Sequence, residues 1–255
     1  MDWFIDTHCH LDAAEFDGNQ SALLSHAEAA GVSRIVVPSV ERASFLRVNN
    51  LCRQYPACHP AYGIHPMFTG NATAHDLVVL REYLREYPAI AVGEIGLDFY
   101  LDDYNQLRQE YFFIEQLKLA VEYELPALLH TRRSVDTVLK HLRQHKVRGG
   151  IAHAFSGSRQ QADEFIKLGF KLGFGGAATH PRATRLRELA ASLPISCIVL
   201  ETDAPDMSPD FIARGEPNKP EYLPRIAQIL ADLRGMSLAE FAQATTENAY
   251  AVLHL

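Results

Sequence analysis

The chain has 255 residues, of which 47% are hydrophobic and four are cysteine, and its formal net charge is −7. This length suits one domain with a substantial core, so we expect residues 1–255 to form a single domain. The charge argues against a broad positive surface for duplex nucleic acid. A phosphate substrate stays open, because bound divalent ions supply positive charge locally.

The chain carries no sign of export or of a membrane anchor. No apolar run is long enough to span a bilayer, and residues 1–3 lead into a strand without the basic and apolar regions of a signal peptide. The cysteines form no C-x-x-C pair, which argues against a thiolate zinc site or a disulfide framework. We therefore expect a cytoplasmic protein with no membrane partner.

Short β-branched apolar runs alternate with amphipathic stretches of helical period, which predicts βα units around a parallel sheet. The predicted strands are 4–8, 34–38, 58–63, 90–97, 127–130, 150–153, 170–174 and 198–201. The predicted helices are 20–30, 43–55, 75–86, 105–124, 135–144, 159–168, 183–191, 221–233 and 238–253. The pattern indicates an α/β fold, a single-domain (β/α)8 TIM barrel, with a long loop at 204–220 over its mouth.

The first strand ends in a pair of imidazoles, His8 and His10, separated by Cys9. Residues i and i+2 of a strand point the same way, so the two rings can converge on one ion while the thiol points away. Such a pair alone is ambiguous, because many H-x-H pairs lie on a surface or in a core. The rest of the chain decides its meaning.

Polar residues interrupt apolar strands at their C-terminal ends, the rim where barrel enzymes build their sites. Besides the first pair, these residues are His65, Glu94, Asp98, His130, His153, Glu201 and Asp203. Any one of the histidines is open to a packing role, and Glu94 is open to pairing with an arginine. Because six strands carry nitrogen or oxygen donors at the same end, the set favours a divalent-metal site.

Six motifs in this order resemble those of the TatD-type metal-dependent hydrolases, deoxyribonuclease-like members of the amidohydrolase superfamily, and their YjjV-type branch in particular. The motifs are Phe4-Ile5-Asp6-Thr7-His8-Cys9-His10-Leu11-Asp12, Gly63-Ile64-His65-Pro66, Gly93-Glu94-Ile95-Gly96-Leu97-Asp98, Leu129-His130-Thr131-Arg132, His153-Ala154-Phe155-Ser156-Gly157-Ser158 and Leu200-Glu201-Thr202-Asp203-Ala204-Pro205. The resemblance implies a barrel with two divalent ions at its mouth.

The resemblance also assigns ligands and a mechanism. The implied ligands are His8, His10 and Asp203 for one ion, His130 and His153 for the other, and Glu94 as the bridge. Hydrolysis would use a metal-bound water, with Asp203 accepting its proton. Glu201 is a candidate to contact that water or to support a ligand, and a core carboxylate held by a neighbouring cation is the alternative. Zinc, manganese, nickel or iron suits these donors, and magnesium suits them less well.

Five residues are candidates for substrate binding: His65, Arg132, Ser156, Ser158 and Asn218. His65 is placed to donate to a phosphate or a leaving group, and Arg132 to clamp an anion while its neighbour Arg133 faces out as surface charge. The two serines flank Gly157 at a helix start and offer a phosphate cradle, with simple capping of that helix as the alternative. Asn218 lies in the long last loop.

Three departures from the family pattern bear on the substrate. Met67 stands where many relatives carry a second histidine, Pro217 replaces an arginine of the last loop, and Ala154 stands where cysteine is frequent. None of them is a proposed metal ligand. The pattern therefore supports metal binding more directly than it supports nucleic-acid specificity.

These observations leave three hypotheses for the function of the protein. The leading hypothesis is a phosphodiesterase, a deoxyribonuclease that acts on single-stranded DNA ends in the 3′-to-5′ direction or on a small phosphoester. The second is a metal-dependent ester, lactone or amide hydrolase, which the acidic surface and the missing loop arginine favour. The third is a metal-binding scaffold without catalysis, against which the complete ligand set and the candidate base argue.

Overall fold

The computed structural model of the protein describes residues 4–100 and 103–255. Residues 1–3, which are expected to lead directly into the first strand, lie outside the described residues. Among the described helices, none has the length and apolar character needed to cross a membrane.

Eight parallel strands follow one another around the molecule in chain order, each paired with the next. They are β1 (Phe4–Asp6), β2 (Val32–Pro38), β3 (Cys58–Tyr62), β4 (Ala91–Asp98), β5 (Ala127–Arg132), β6 (Gly150–Ala152), β7 (Phe170–Phe174) and β8 (Ile198–Leu200). Thr7, just beyond β1, donates from its backbone N–H and its hydroxyl to the Leu200 carbonyl, at 3.0 and 2.9 Å. These bonds draw β1 and β8 together into a nearly closed barrel, which confirms the predicted fold class.

Helices follow the strands and form the outer layer. They are α1 (Gln20–Ala29), α2 (Arg42–Gln54), α3 (Ala74–Glu86), α4 (Gln106–Glu122), α5 (Val135–Gln144), α6 (Arg159–Lys167), α7 (Thr184–Ser192), α8 (Leu223–Arg234) and α9 (Leu238–Leu253). Short 3-10 turns lie at Ala14–Phe16, Pro66–Phe68, Gly176–Thr179, Ile195–Cys197 and Pro220–Tyr222. The predicted helices all form, with ends that shift by a few residues.

The strand ends differ from the prediction where the chemistry lies. β1 ends at Asp6 and β8 at Leu200, so His8, His10 and Glu201 follow strands instead of ending them. The alternation of directions persists beyond β1 because successive N–H groups bind opposite neighbours: Cys9 donates to a β2 carbonyl and His10 to the loop after β8. Cys9 is consequently buried in the core, as its place between the two histidines predicts.

The barrel interior is a layer of small and branched side chains contributed by different strands. Its strand members are Ile5, Val36, Ala61, Ala91, Leu128, Ile151 and Val199. Ala249, Val252 and Leu253 of α9 pack against this layer and close one end of the barrel. A larger apolar cluster fills the space between sheet and helices. The opposite end, where the strands terminate, is left for the polar side chains.

Candidate metal centre

Two imidazole nitrogens meet directly at the end of β1. Nε2 of His8 lies 3.3 Å from Nε2 of His10. Oδ1 of Asp203, from the loop after β8, lies 3.7 and 3.6 Å from these two nitrogens. The three side chains form a group that can hold a metal ion. Asp203 has a left-handed backbone with φ of 58°, a conformation that non-glycine residues adopt at few positions outside functional sites.

The spacing of these atoms fits a bound divalent ion. With metal–nitrogen distances of about 2.0–2.1 Å, neighbouring donors of a tetrahedral site lie about 3.3–3.4 Å apart. Oε2 of Glu94 lies 3.2 Å from Nε2 of His8 and 3.5 Å from Nε2 of His10, so it is a further donor beside these two rings. Zinc and other divalent metals of the first transition row accept such nitrogen and oxygen donors.

Glu94 is buried at 2% exposure in the middle of β4 and presents its two oxygens to two different groups of rings. Oε2 faces His8 and His10, whereas Oε1 lies 3.0 Å from Nδ1 of His130 and 3.9 Å from Nε2 of His153. Burial opposes ionisation, but the surrounding imidazoles hold the pKa of Glu94 well below its ordinary value. An ionised carboxylate with one oxygen toward each group suits a bridge between two cations.

The ring of His130 lies between two carboxylates. Its Nδ1 faces Glu94, and its Nε2 lies 3.0 Å from Oδ2 of Asp98 at the end of β4. The other oxygen of Asp98 accepts the backbone N–H of Tyr100 at 2.9 Å. Asp98 therefore fixes both the ring and the chain that follows β4. Metal-binding histidines commonly use their second nitrogen in this way, which sets the tautomer and the ring orientation.

His153 follows β6 and has a carboxylate behind it as well. Its Nε2 lies 3.7 Å from Oδ2 of Asp203, and its Nδ1 lies 3.3 Å from Oε1 of Glu201. The same Glu201 oxygen accepts the backbone N–H of Ala154 at 2.6 Å, which holds the carboxylate against the turn after β6. Gly173 of β7 leaves the space for this carboxylate, because a Cβ there would lie 2.1 Å from Oε2 of Glu201.

His130 and His153 fall in different candidate metal groups around Glu94. Glu94 and His153 form one candidate group with His8, whereas Glu94 and His130 form another with His65. The ring centroids of His130 and His153 are 6.4 Å apart. That the two rings bind the same second ion stays a prediction, and their shared neighbour is Oε1 of Glu94.

The pKa values in this cluster show how the protein balances buried charge without an ion. Burial lowers the pKa of His8 to about 3. Burial also acts on His10, but Glu94 and Asp203 together raise its pKa to about 9. Burial raises the pKa of Asp203 to about 6. Glu201 and Asp203 likewise raise the pKa of His153 to about 10. More than one imidazole thus carries a proton among the carboxylates, in the region where metal cations would supply the positive charge.

Asp6 supports the centre from below, and sequence reasoning did not single it out. Its Oδ1 accepts the backbone N–H of Thr202 at 2.9 Å, and its Oδ2 accepts the Thr202 hydroxyl at 2.6 Å. Oδ1 also lies 3.3 Å from the backbone nitrogen of His8, so this carboxylate ties the histidine segment to the loop that carries Asp203. An acid in the apolar run Phe4-Ile5-Asp6 is the signal that would have revealed it.

The contacts of His65 indicate that its Nε2 is a hydrogen-bond donor. It caps the short turn Pro66–Phe68, where its Nδ1 accepts the backbone N–H of Met67 at 3.2 Å. Burial lowers the pKa of His65 to about 3, so the ring is neutral and its proton lies on Nε2. That nitrogen faces Oε1 of Glu94 at 3.5 Å. In this tautomer Nε2 can donate a hydrogen bond, although His65 also belongs to a candidate metal group with Glu94 and His130.

A cavity of about 610 Å³ opens above these residues. Part of its wall is polar, including Arg132 and Ser156. Its apolar lining residues include Met67, Phe68, Phe155, Phe174, Leu186 and Met207. The cavity therefore joins a cluster of donors for metal binding to a wall that accepts an apolar or aromatic part of a substrate.

The other predicted substrate residues separate into two groups. Ser158 caps α6, where its hydroxyl accepts the Gln161 N–H at 3.2 Å, as in the alternative reading of this turn. Asn218 is fully buried and donates to the Thr202 carbonyl at 2.7 Å, so it holds the last loop in place. Arg132 lines the cavity with a half-exposed side chain.

Arg133 has an exposed side chain, as expected, and it also contacts an aromatic ring. Its backbone, just beyond the end of β5, has a left-handed φ of 55°. The guanidinium consequently lies 4.6 Å from the Tyr100 ring, the same ring that Arg132 covers at 3.6 Å.

A family model described as TatD related DNase matches residues 5–254. The chain belongs to the TatD family. It is 44% identical over 255 residues, 99% of this chain and 98% of the relative, to the uncharacterised metal-dependent hydrolase YjjV of Escherichia coli K12. It is 31% identical over 250 residues, 96% of this chain and 95% of the relative, to the 3′-5′ ssDNA/RNA exonuclease TatD of Cronobacter sakazakii.

The solved structures agree with this assignment. The crystal structure of Escherichia coli YjjV, a TatD homologue, has a TM-score of 0.96 with 43% identity and covers 100% of this chain and 99% of that chain. A hydrolase of the TatD family from Entamoeba histolytica has a TM-score of 0.84 with 22% identity, which shows the shared fold. Family membership confirms the prediction of a metal-dependent hydrolase.

Proposed function

We propose that the protein is a phosphodiesterase that hydrolyses single-stranded DNA from its 3′ end at a centre of two divalent ions. The observation that carries the proposal is the position of Glu94, whose two oxygens face separate groups of imidazoles. A relative that is 31% identical is a 3′-5′ ssDNA/RNA exonuclease, which supports a nucleic-acid substrate. The ions are drawn from zinc, manganese, magnesium, nickel and iron.

The roles of the ligand residues follow from their positions. His8, His10 and Asp203 would hold one ion, His130 and His153 the other, and Glu94 both. Bound divalent ions lower the pKa of a coordinated water and offset negative charge on a phosphoryl oxygen. The two acids behind the rings, Asp98 and Glu201, would act as positioning residues that turn the other nitrogen of each imidazole toward the ion beside Glu94.

Asp203 is the best-placed proton acceptor. Its side chain is 13% exposed and lines the cavity, whereas the side chain of Glu94 is 3% exposed. A carboxylate that both reaches the ligand set and faces the cavity can take a proton from the attacking water at Oδ2, the oxygen near His153. Glu201 is less well placed, because its side chain is buried and its Oε1 already accepts the Ala154 N–H.

His65 supplies a neutral donor to the substrate. Nε2–H points into the space between Glu94 and His130, and the Met67 N–H fixes its tautomer from the other side. A fixed donor near the scissile phosphate stabilises the negative charge that grows on an oxygen during hydrolysis. The ring needs no change of protonation state to do this.

Digestion of a 5′-labelled single-stranded oligonucleotide with Mg²⁺ or Mn²⁺ tests the proposal. The wild-type protein should release nucleotides from the 3′ end, and Asp203→Asn should lose the activity. Glu188→Gln, on the exposed face of α7, makes a matched change of one acidic group away from the cavity and should digest at the wild-type rate. Equal digestion by the wild type and by Asp203→Asn would reject the proposal.

A second candidate is a metal-dependent hydrolase of esters, lactones or amides. The apolar wall of the cavity, with Met67 at 55% exposure, favours a small apolar substrate. A comparison of kcat/KM between an aryl ester and a phosphodiester of the same aryl group decides between the two. Faster turnover of the carboxylic ester would replace the nuclease proposal.

A further inference from the structure

Two arginines and one tyrosine form a compact cluster at the edge of the cavity. Arg132 and Arg133 hold their guanidinium carbons 3.6 and 4.6 Å from the centre of the Tyr100 ring. Tyr100 is 43% exposed, and both arginines are exposed at this rim. In a protein of net charge −7, two cations on one exposed ring form a local positive site.

The two charges are poorly compensated. Within residues 4–100 and 103–255, the ion pair of Arg132 is a contact of 4.0 Å with Asp98, and Arg133 has no carboxylate partner. Asp98 already faces Nε2 of His130 at 3.0 Å, so its charge is shared with the metal centre. Like charges held close together repel unless an anion lies between or beside them. The cluster is therefore suited to bind an anion.

The backbone fixes this arrangement. Arg133 has a left-handed φ of 55°, a conformation that few non-glycine residues adopt, and its guanidinium lies at the Tyr100 ring. The Phe99 N–H donates to the Arg132 carbonyl at 2.8 Å, and the Ser134 hydroxyl donates to the Leu97 carbonyl at 2.5 Å. These bonds hold the chain after β5 against the chain after β4, so the cluster is preformed.

The cluster is also connected to the metal centre. One carboxylate, Asp98, touches His130 through Oδ2 and holds the Tyr100 N–H through Oδ1. Arg132 lines the cavity itself, and Tyr100 and Arg133 extend outward from it. A substrate whose reacting phosphate lies at the metal centre can therefore place a neighbouring phosphate at the arginines.

We propose that Arg132, Tyr100 and Arg133 form a subsite for a second phosphate group of the substrate, next to the phosphate that is hydrolysed. This inference rests on the proposed phosphodiesterase function and deepens it. The ring of Tyr100 spaces the guanidinium groups, which bind the phosphate oxygens through charge-assisted hydrogen bonds. The subsite favours substrates with at least two phosphates over a lone phosphodiester.

A pair of oligothymidylates tests the subsite. The dinucleotide TpT has one phosphate, and the trinucleotide TpTpT has two. We expect wild-type kcat/KM with Mn²⁺ to be about tenfold higher for TpTpT. Arg133→Gln should lower the value for TpTpT about fivefold and leave TpT within about twofold. Tyr100→Leu, which removes the spacer and retains both charges, should give an intermediate loss. Arg143→Gln breaks a surface ion pair with Glu164 between α5 and α6 and should leave kcat/KM unchanged for both substrates.

A binding measurement separates this inference from the function on which it rests. Calorimetry with Mn²⁺ compares thymidine 3′,5′-bisphosphate with thymidine 5′-monophosphate. The wild type should bind the bisphosphate about tenfold more tightly, and Arg133→Gln should lose that preference. If neither oligonucleotide is hydrolysed, the phosphodiesterase proposal fails and this binding preference alone decides on the subsite. Equal affinity of the wild type for the two nucleotides, or equal losses of kcat/KM on TpT and TpTpT in Arg133→Gln, would overturn the subsite.

Discussion

The two halves of the proposed metal centre are built in different ways. On the β1 and β8 side, His8, His10 and Asp203 lie within 3.3 to 3.7 Å of one another, and a continuous segment supplies both histidines. On the β4 to β6 side, His130 and His153 lie 3.0 and 3.9 Å from the Glu94 oxygen that they share. Each of these rings stands on a separate strand end.

This difference shows which contacts each half needs to keep its side chains in position. The first half rests largely on local backbone geometry, because His8 and His10 lie two residues apart on one segment with their ring nitrogens 3.3 Å apart. The second half depends on side chains behind the rings, since Asp98 and Glu201 fix His130 and His153. We therefore expect the second half to be more sensitive to changes outside the ligands.

The largest loss of metal and of activity is expected from substitution of Glu94, which both halves share. Glu94→Gln replaces one bridging oxygen with an amide that donates, so it should remove metal from both halves. We expect hydrolysis to fall more than about a hundredfold, beyond the usual cost of losing a supporting residue. Metal content by plasma emission and activity on the labelled oligonucleotide check this. Glu188→Gln serves as the control, and a variant that retains two ions per chain would show that Glu94 is not the bridge.

The next largest effect is a loss of metal affinity in only one of the two halves. Asp98→Asn and Glu201→Gln should weaken metal binding by about 10–100-fold at one of two sites and leave the other unchanged. Titration against a competing chelator resolves two affinities if the halves are independent. Equal weakening of both metal affinities, or no weakening of either, would show that the two halves do not differ in this way.

A smaller effect is expected from His65, which we propose as a hydrogen-bond donor to the substrate beside the second half. His65→Asn retains a side-chain acceptor for the Met67 N–H but removes the Nε2 donor. The variant should keep its full metal content and lose about 10–100-fold in kcat with little change in KM. Loss of one ion in this variant would make His65 a ligand instead of a donor.

The smallest effect concerns Ser158, which lies near the mouth but caps α6. Ser158→Ala should cost about 1 kcal/mol of stability, because the Gln161 N–H loses its acceptor. Chemical denaturation measures that loss, and activity should stay within about twofold of wild type. A raised KM with unchanged stability would return Ser158 to the substrate site.

Much of the architecture and of the centre was predictable, because the signals are local. Alternating apolar runs fix the strands and helices, and a carboxylate such as Glu94 in an apolar strand needs a cation. Other features depend on contacts that no short pattern contains. The support of His130 by Asp98 joins two strands, and the tautomer of His65 follows from one backbone N–H. The direction of Arg133 depends on a left-handed backbone that its residue type does not favour.

The strand boundaries illustrate the same limit. The apolar run that begins at Phe4 predicts a strand through His8, yet pairing with β2 ends at Asp6. The following N–H groups bind carbonyls on both sides, which only the closed barrel brings within reach.

Anomalous X-ray scattering from crystals grown with Mn²⁺ or Zn²⁺ tests the central claim most directly. We predict two peaks that share the Glu94 carboxylate, one among His8, His10 and Asp203 and the other beside His130 and His153. A single peak at the first half, with the rings of His130 and His153 bound to no ion, would contradict the two-ion centre.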